Sequence, residues 1–323
     1  MGELSNADQS KYIGWQGAFY NIAKIVATGG LVYLAGILIE KSTSQGSSLY
    51  DANQHAWMII MAILSAVMVL LGIYHIFMLP SGGKRAAAEV HRTGKQVMVE
   101  LGEVLIDFFR KRHIVYYICF IILYRFAEGF VMKIVPLFLK TEREMGGLGL
   151  SEKEIGLYYG SYGAAAFVLG SLLAGYYISS RGLKKTLFTL CGIFNLPFLV
   201  YTLFAIFQPT NGLLICSGII FEYFGYGFGF VGLTLFMMQQ IAPGKHQMAH
   251  YAFASGIMNL GVMIPGMLSG WVCELFEEWF NKPSGYEPFF IFVLIATIPA
   301  FLITYFVPFK YNQDGTLIEG EKE

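Results

Sequence analysis

Long apolar stretches alternate with short polar segments along almost the whole chain. A transmembrane helix needs roughly 20 apolar residues to cross the hydrocarbon core of a bilayer. Turn-forming polar segments such as residues 42–48 and 281–285 separate the apolar stretches. The pattern predicts an all-α membrane protein of about eight transmembrane helices, with approximate bounds Gly14–Ile39, Ala56–Leu79, Ile114–Leu139, Ile155–Ser179, Thr186–Phe207, Leu213–Ile241, Tyr251–Cys273 and Pro288–Val307.

Lysine and arginine are distributed unequally over the predicted loops. If the N-terminus is cytoplasmic, fourteen of them lie in inside segments, five in outside loops and three within the predicted spans. Positive charge is concentrated on the cytoplasmic side of membrane proteins. We therefore expect an integral protein of a bacterial-type inner membrane, with both termini in the cytoplasm.

The longest polar segment divides the predicted helices into two groups. Residues 80–113 carry seven of the basic residues and separate two predicted spans from six. We expect a partial N-terminal bundle of two transmembrane helices (residues 1–79), a cytoplasmic linker (80–113), a six-helix bundle (114–309) and a cytoplasmic tail (310–323).

Composition excludes several classes of protein. Hydrophobic residues make up 55% of the chain and charged residues only 14%, and the net charge of zero gives no field that would attract nucleic acid. The four cysteines occur singly in apolar stretches, so they indicate neither disulfides nor a zinc site. His246 and His250 have the spacing of metal ligands but lack the intervening glutamate of a zinc enzyme. We expect no cofactor, no metal and no enzymatic activity.

Ionisable residues lie within the third predicted span. Arg125 and Glu128 are three residues apart and so share a helix face, and Lys133 lies about 80° around the helix from Arg125. Charges are costly in a bilayer, so they indicate either a substrate or proton site or a purely structural ion pair. Tyr124, beside Arg125, is a further candidate.

The sixth predicted span contains another acidic residue, Glu222, which has no basic residue three or four positions away. Without a partner it would tend to take a proton, although a partner on another helix is equally compatible with the sequence. Asn195 and Asn259 lie near Pro197 and Pro265, and each could contact a substrate or hydrogen-bond a neighbouring helix.

The segment after the fourth predicted span resembles the cytoplasmic loop motif of the major facilitator superfamily. In that motif two glycines seven residues apart flank an acidic residue, and basic residues follow. Gly175, Gly182 and Lys184 fit this pattern, and the same loop contains Arg181 and Lys185. Serine replaces the usual aspartate at position 179, so the resemblance does not extend to a charge relay in this loop.

Further stretches resemble permeases similar to the AmpG muropeptide transporters. The resemblance implies a twelve-helix fold represented by two helices of the first half and a complete second half, with the first four helices absent. It also implies uptake of a small solute, a muropeptide or a related compound, together with protons. The matching stretches are Trp15–Tyr20, Tyr124–Gly129 with Lys133 and Pro136–Leu139, Gly147–Ser151 with Glu154–Gly156, Phe224–Phe230, Ala249–Ala252 and Pro265–Gly270.

One alternative is a membrane protein that does not transport. A chain with only eight helices can be a remnant of a transporter, or a scaffold that needs a partner chain to enclose a cavity.

Overall fold

The structure is a computed structural model that describes residues 6–26, 31–46, 48–78, 94–282, 284–312 and 316–318. The described part is all-α and contains no β-strand beyond an isolated bridge between Tyr311 and Leu317. The helices are α1 Asn6–Ile25, α2 Val32–Ser44, α3 Leu49–Met78, α4 Gly94–Arg110, α5 Ile114–Tyr124, α6 Phe126–Lys140, α7 Glu152–Ile155, α8 Gly163–Arg181, α9 Leu183–Asn195, α10 Leu199–Phe207, α11 Gly212–Phe236, α12 Gln247–Phe280 and α13 Tyr286–Tyr305.

Short irregular turns join several of these helices into longer rods. A π-helical segment, Gly156–Tyr162, leads into α8, and a second one, Met237–Ile241, ends α11. A 3₁₀ turn at Leu196–Phe198 connects α9 to α10, where Pro197 removes a backbone donor from the span.

Six helices of the described residues are long and apolar enough to cross a membrane. Many of their apolar side chains are exposed, as expected of surfaces that contact lipid. The chain is therefore an integral membrane protein, and the predicted all-α class is confirmed. The six spans are Leu49–Met78, Gly156–Arg181, Leu183–Phe207, Gly212–Ile241, Gln247–Phe280 and Tyr286–Tyr305.

The two other predicted spans differ from a single continuous helix. Arg125, with φ −107° and ψ 7°, interrupts the predicted span Ile114–Leu139 and divides it into α5 and α6. The first turn of α6 follows directly and contains Glu128, the hydrogen-bonding partner of Arg125. The predicted span Gly14–Ile39 falls on α1 and α2, and residues 27–30 between them lie outside the described residues.

The chain forms two compact units, Ala23–Glu103 and the combination of Met1–Ile22 with Val104–Glu323. The sequence-based domain division groups residues 1–22 with the N-terminal pair instead, and it stays a prediction. Residues 80–93 of the predicted linker lie outside the described residues, so three of its basic residues do as well.

The smaller unit contains α2 and α3. Gly46, with φ +92°, lies in the turn after α2. Ser48 caps α3, because its hydroxyl accepts from the Asp51 amide at 3.1 Å and donates to the Asp51 carboxylate at 2.6 Å. Ala52 and Ala56 are buried, whereas most other side chains of α3 are exposed.

The larger unit is built around α11, which is packed closely on several sides because it is rich in glycine. A Cβ atom added at Gly225 would lie 2.3 Å from the Ile193 carbonyl oxygen, and one added at Gly227 would lie 2.2 Å from that of Phe167. Neither position has room for a side chain, so the glycines allow α9 and α8 to approach α11.

Helix α1 packs against α8 through a second close contact. A Cβ atom added at Gly14 would lie 2.7 Å from the Ser171 carbonyl oxygen, and one at Gly175 would lie 2.7 Å from that of Ser10. The two helix backbones therefore touch without intervening side chains.

Two polar contacts fix segments outside the spans. Ser151 and Glu154 form a capping box at α7, with the Ser151 hydroxyl donating to the Glu154 carboxylate at 2.6 Å. Lys111 donates to the carbonyl oxygens of Ile241, Ala242 and Pro243 at 2.6, 3.3 and 2.6 Å, and thereby satisfies carbonyls at the end of the α11 span.

Candidate functional site

A buried ion pair lies at the junction of α5 and α6. The Arg125 Nε donates to Glu128 Oε2 at 2.5 Å, and a terminal guanidinium nitrogen donates to Oε1 at 2.6 Å. The side chains are only 6% and 4% exposed. This fork-shaped geometry is the strongest form of an arginine–carboxylate contact, and it also binds carboxylates of ligands. The predicted pairing of Arg125 with Glu128 is therefore present.

Aromatic side chains of α11 surround the pair. The Arg125 guanidinium lies 5.2 Å from the centre of the Phe230 ring, within cation–π distance. The Tyr226 ring packs against that of Phe230, with ring centres 6.1 Å apart. Tyr124 is fully buried and donates to the Gly229 carbonyl oxygen at 3.0 Å. Tyr124 therefore ties α5 to α11 and does not bear on the pair directly.

Glu222 is buried on α11, one turn before Tyr226. Its hydrogen-bonding partner lies on another helix. The Tyr201 hydroxyl, on α10, donates to Glu222 Oε2 at 3.0 Å. Tyr223 and Tyr159 lie nearby with ring centres 4.9 Å apart. Glu222 thus has a neutral hydroxyl donor, and no ion pair with a cation is found for it in the described part of the chain.

Lys133 does not join the ion pair. Its side chain is exposed, and its stem lies along α12, where a Cβ atom added at Gly266 would be 3.5 Å from the Lys133 Cγ. Asn259 is also exposed on α12. Both predicted positions therefore face away from the packed interior of the larger unit.

Asn195 is buried beside the 3₁₀ turn. Its amide nitrogen donates to the Cys191 carbonyl oxygen at 3.0 Å within its own helix, and its Oδ1 is buried without a hydrogen-bond partner. Buried amide oxygens are rarely left unsatisfied, so this atom can accept a hydrogen bond from a solute or water.

The two glycines of the cytoplasmic loop motif have steric roles. Gly175 lies in the contact with α1, and Gly182 has φ +83°, a conformation that favours glycine, at the turn from α8 to α9. Arg181 lies with its guanidinium 5.1 Å from the Tyr177 ring centre. Lys184 and Lys185 are exposed at the start of α9.

The two histidines make structural contacts. His246 lies 3.6 Å from an Asp107 carboxylate oxygen, and the His250 Nε2 lies 3.2 Å from the Val104 carbonyl oxygen. The described residues contain no group of three or more metal-ligating side chains.

Sequence reasoning did not identify Tyr201, Tyr226 and Phe230. Tyr226 and Phe230 follow Glu222 by four and eight residues, which places all three on one face of α11, so helical spacing from Glu222 was a usable signal. Tyr201 gives no such signal, because its contact with Glu222 depends on how α10 packs.

Comparison with known proteins gives consistent matches. Residues 126–322 match the family described as Major Facilitator Superfamily. A Rickettsia felis protein named "Putative transporter AmpG 1" is 25% identical over 191 residues, which are 59% of this chain and 40% of that protein. The "Anhydromuropeptide permease" of Escherichia coli K12 is 22% identical over 199 residues, or 61% of this chain and 37% of the permease. The matches span about two fifths of these relatives, and they confirm the resemblance found in the sequence.

Proposed function

This chain belongs to the Major Facilitator Superfamily, and on that premise we propose that it acts in proton-coupled uptake of a muropeptide or a related small anionic solute. The observation that carries the proposal is the buried Arg125–Glu128 pair. Ionisable residues within membrane spans usually mark substrate, ion or proton pathways. An anionic group of the solute would compete with Glu128 for the Arg125 guanidinium.

Two further features support this assignment. Lys133 is exposed and makes no ion pair with any described residue, so its ammonium group is available to an anionic solute. Glu222 is buried against the neutral Tyr201 hydroxyl, and a buried carboxyl group without a cation favours its protonated form. Glu128 and Glu222 are therefore the residues that would exchange protons during alternating access. Asn195 and Asn259 are proposed as polar contacts for the solute.

The transport proposal is tested by uptake of labelled anhydro-muropeptide into proteoliposomes, with and without an inward proton gradient. We expect gradient-driven accumulation by the unmodified chain and its loss in Glu222→Gln. The matched control is Glu278→Gln, the same chemical change at an exposed position of α12. Accumulation that survives both Glu222→Gln and collapse of the gradient would remove the proton claim. Absence of any uptake by the unmodified chain would remove the transport claim.

We also propose that both termini are cytoplasmic in a bacterial-type inner membrane. The exposed Lys184 and Lys185 beside the α8–α9 turn support this orientation, because basic loops face the cytoplasm. A cysteine at position 184 (Lys184→Cys) should react with an impermeant maleimide in inside-out vesicles and not in right-side-out ones. The unmodified chain controls for native thiols, and the opposite labelling would reverse the orientation.

A further inference from the structure

The C-terminal half of helix α4 is packed against the beginning of the α12 span. Phe108 is buried, and its ring centre lies 5.6 Å from that of His250 and 5.6 Å from that of Phe253. The Val104 carbonyl oxygen lies 3.2 Å from the His250 Nε2. Because α12 begins at Gln247, these contacts hold one face of α4 against the first two turns of a membrane-spanning helix.

A second membrane segment begins directly after α4. Helix α4 ends at Arg110, and α5, the first part of the predicted span Ile114–Leu139, begins after a turn in which His113 has φ +62°. Val115, in the first turn of α5, is exposed, like many apolar side chains of the spans. The end of α4 therefore lies where two membrane segments begin, which is the level of the bilayer surface.

Three apolar side chains of this half of α4 point away from the protein. Leu105, Ile106 and Phe109 are 43%, 52% and 59% exposed. Leu105 and Ile106 precede Phe109 by four and three residues, so the three side chains share a helix face. Asp107 lies about 160° around the helix from Phe109. An apolar face opposite a charged one is typical of a helix that lies in a membrane interface.

We propose that Leu105, Ile106 and Phe109 insert into the lipid leaflet at which α5 begins, and that anionic lipid headgroups bind the adjacent Arg110 and Arg112. Two observations select lipid as the occupant of this face. The face continues the exposed apolar surface at the start of α5, and both arginine side chains are exposed next to it. A basic residue near an anionic bilayer surface strengthens binding roughly fivefold.

This contact makes α4 a surface anchor of the fold. An interfacial helix buries its apolar face about 5–10 Å deep, at the boundary between headgroups and acyl chains. Since only the short turn 111–113 separates α4 from α5, the anchor fixes the depth at which α5 enters the bilayer. The anchor does not depend on transport, so it stands or falls separately from the proposed function.

The test measures where the apolar face lies in bilayers that contain the full chain. In Phe109→Cys a nitroxide is attached to the new thiol, and its collisions with oxygen are compared with those with an uncharged, water-soluble nickel chelate. Oxygen concentrates in hydrocarbon and the chelate in water, so we expect the oxygen-to-chelate ratio at position 109 to exceed that in Asp107→Cys several-fold. The labelled unmodified chain accounts for the native thiols.

The headgroup contact is tested in the same way in two kinds of bilayer, phosphatidylcholine alone and phosphatidylcholine mixed with phosphatidylglycerol. We expect the anionic lipid to raise the ratio at position 109. Adding Arg110→Gln and Arg112→Gln to Phe109→Cys should abolish this increase, because the basic side chains that attract the headgroups are gone.

Every other outcome overturns part or all of the proposal. A ratio at position 109 as low as that at position 107 would place the face in water. Few collisions with either reagent would mean that protein, such as a second copy of the chain, covers the face. A high ratio that responds neither to phosphatidylglycerol nor to the arginine substitutions would remove the headgroup contact. If Phe109→Cys does not fold, Leu105→Cys decides by the same criteria.

Discussion

The Arg125 guanidinium and the Glu128 carboxylate are joined by two hydrogen bonds of 2.5 and 2.6 Å, and both side chains are buried. Removing one partner of a buried pair leaves an uncompensated charge and costs about 3–5 kcal/mol. We expect Arg125→Gln and Glu128→Gln each to lower the free energy of unfolding in detergent by an amount of this order. The double variant should lose less than the sum of the two single losses, because it leaves no lone charge.

The Lys282–Glu287 pair, whose side chains are 39% and 38% exposed, provides the control for this cycle. Exposed ion pairs contribute about 0–1 kcal/mol, so Lys282→Gln should have little effect on unfolding. Strictly additive losses at Arg125 and Glu128 would mean that the two side chains do not stabilise each other.

Because the backbones of α1 and α8 touch, a single methyl group added between them should destabilise the protein. In Gly175→Ala the new Cβ would lie 2.7 Å from the Ser10 carbonyl oxygen, so the helices must separate. Overpacking of this kind costs about 1–3 kcal/mol, which should appear as a lower unfolding temperature in detergent. Gly256→Ala is the matched control, since a Cβ there meets no atom within 4 Å. Equal stability of the two variants would contradict the close contact.

Removing the Tyr124 hydroxyl should lower the free energy of unfolding without a change in packing. Tyr124→Phe deletes the hydroxyl that donates to the Gly229 carbonyl oxygen and leaves the buried ring in place. A hydrogen bond of this type contributes about 0.5–1.5 kcal/mol, so the free energy of unfolding should fall by that amount. Tyr305→Phe, at an exposed position, should have no effect. A neutral result at Tyr124 would indicate that the hydroxyl is not needed to hold α5 on α11.

The environment of Lys111 predicts that the free energy of unfolding depends on pH. Burial and the neighbouring Lys310 ammonium lower the pKa of Lys111 from 10.5 to about 8, against the opposing charge of Asp107. Between these two pH values the folded protein binds fewer protons than the unfolded chain, so this residue makes the free energy of unfolding rise with pH. The difference in unfolding free energy between the unmodified chain and Lys111→Met should therefore increase from about pH 7 to about pH 10. A constant or decreasing difference would contradict the lowered pKa.

The sequence predicted those features of the fold that depend on local pattern. The apolar stretches located the six long helices, because length and hydropathy alone decide whether a segment crosses a bilayer. Spacings within one helix turn are local patterns of the same kind. The pairing of Arg125 with Glu128 was predictable for the same reason, since both lie within one turn.

The remaining features depend on contacts between distant segments. The partner of Glu222 is Tyr201, and its hydroxyl reaches the carboxylate only because α10 packs beside α11. Lys133 shares a helix with Glu128, yet it lies along Gly266 of α12 and not beside the pair. The break at Arg125 lies within an apolar run without proline or glycine before it, so no pattern marked it.

The break at Arg125 has a consequence for how easily the ion pair can open. Arg125 ends α5 and Glu128 lies in the first turn of α6. Peptide dipoles give a helix about half a negative charge at its C-terminal end and about half a positive charge at its N-terminal end. Glu128 therefore keeps the positive helix end of α6 beside it after Arg125 has turned to a solute. The cost of separating the two charges, and of removing Arg125, should accordingly lie at the lower end of the range for buried pairs.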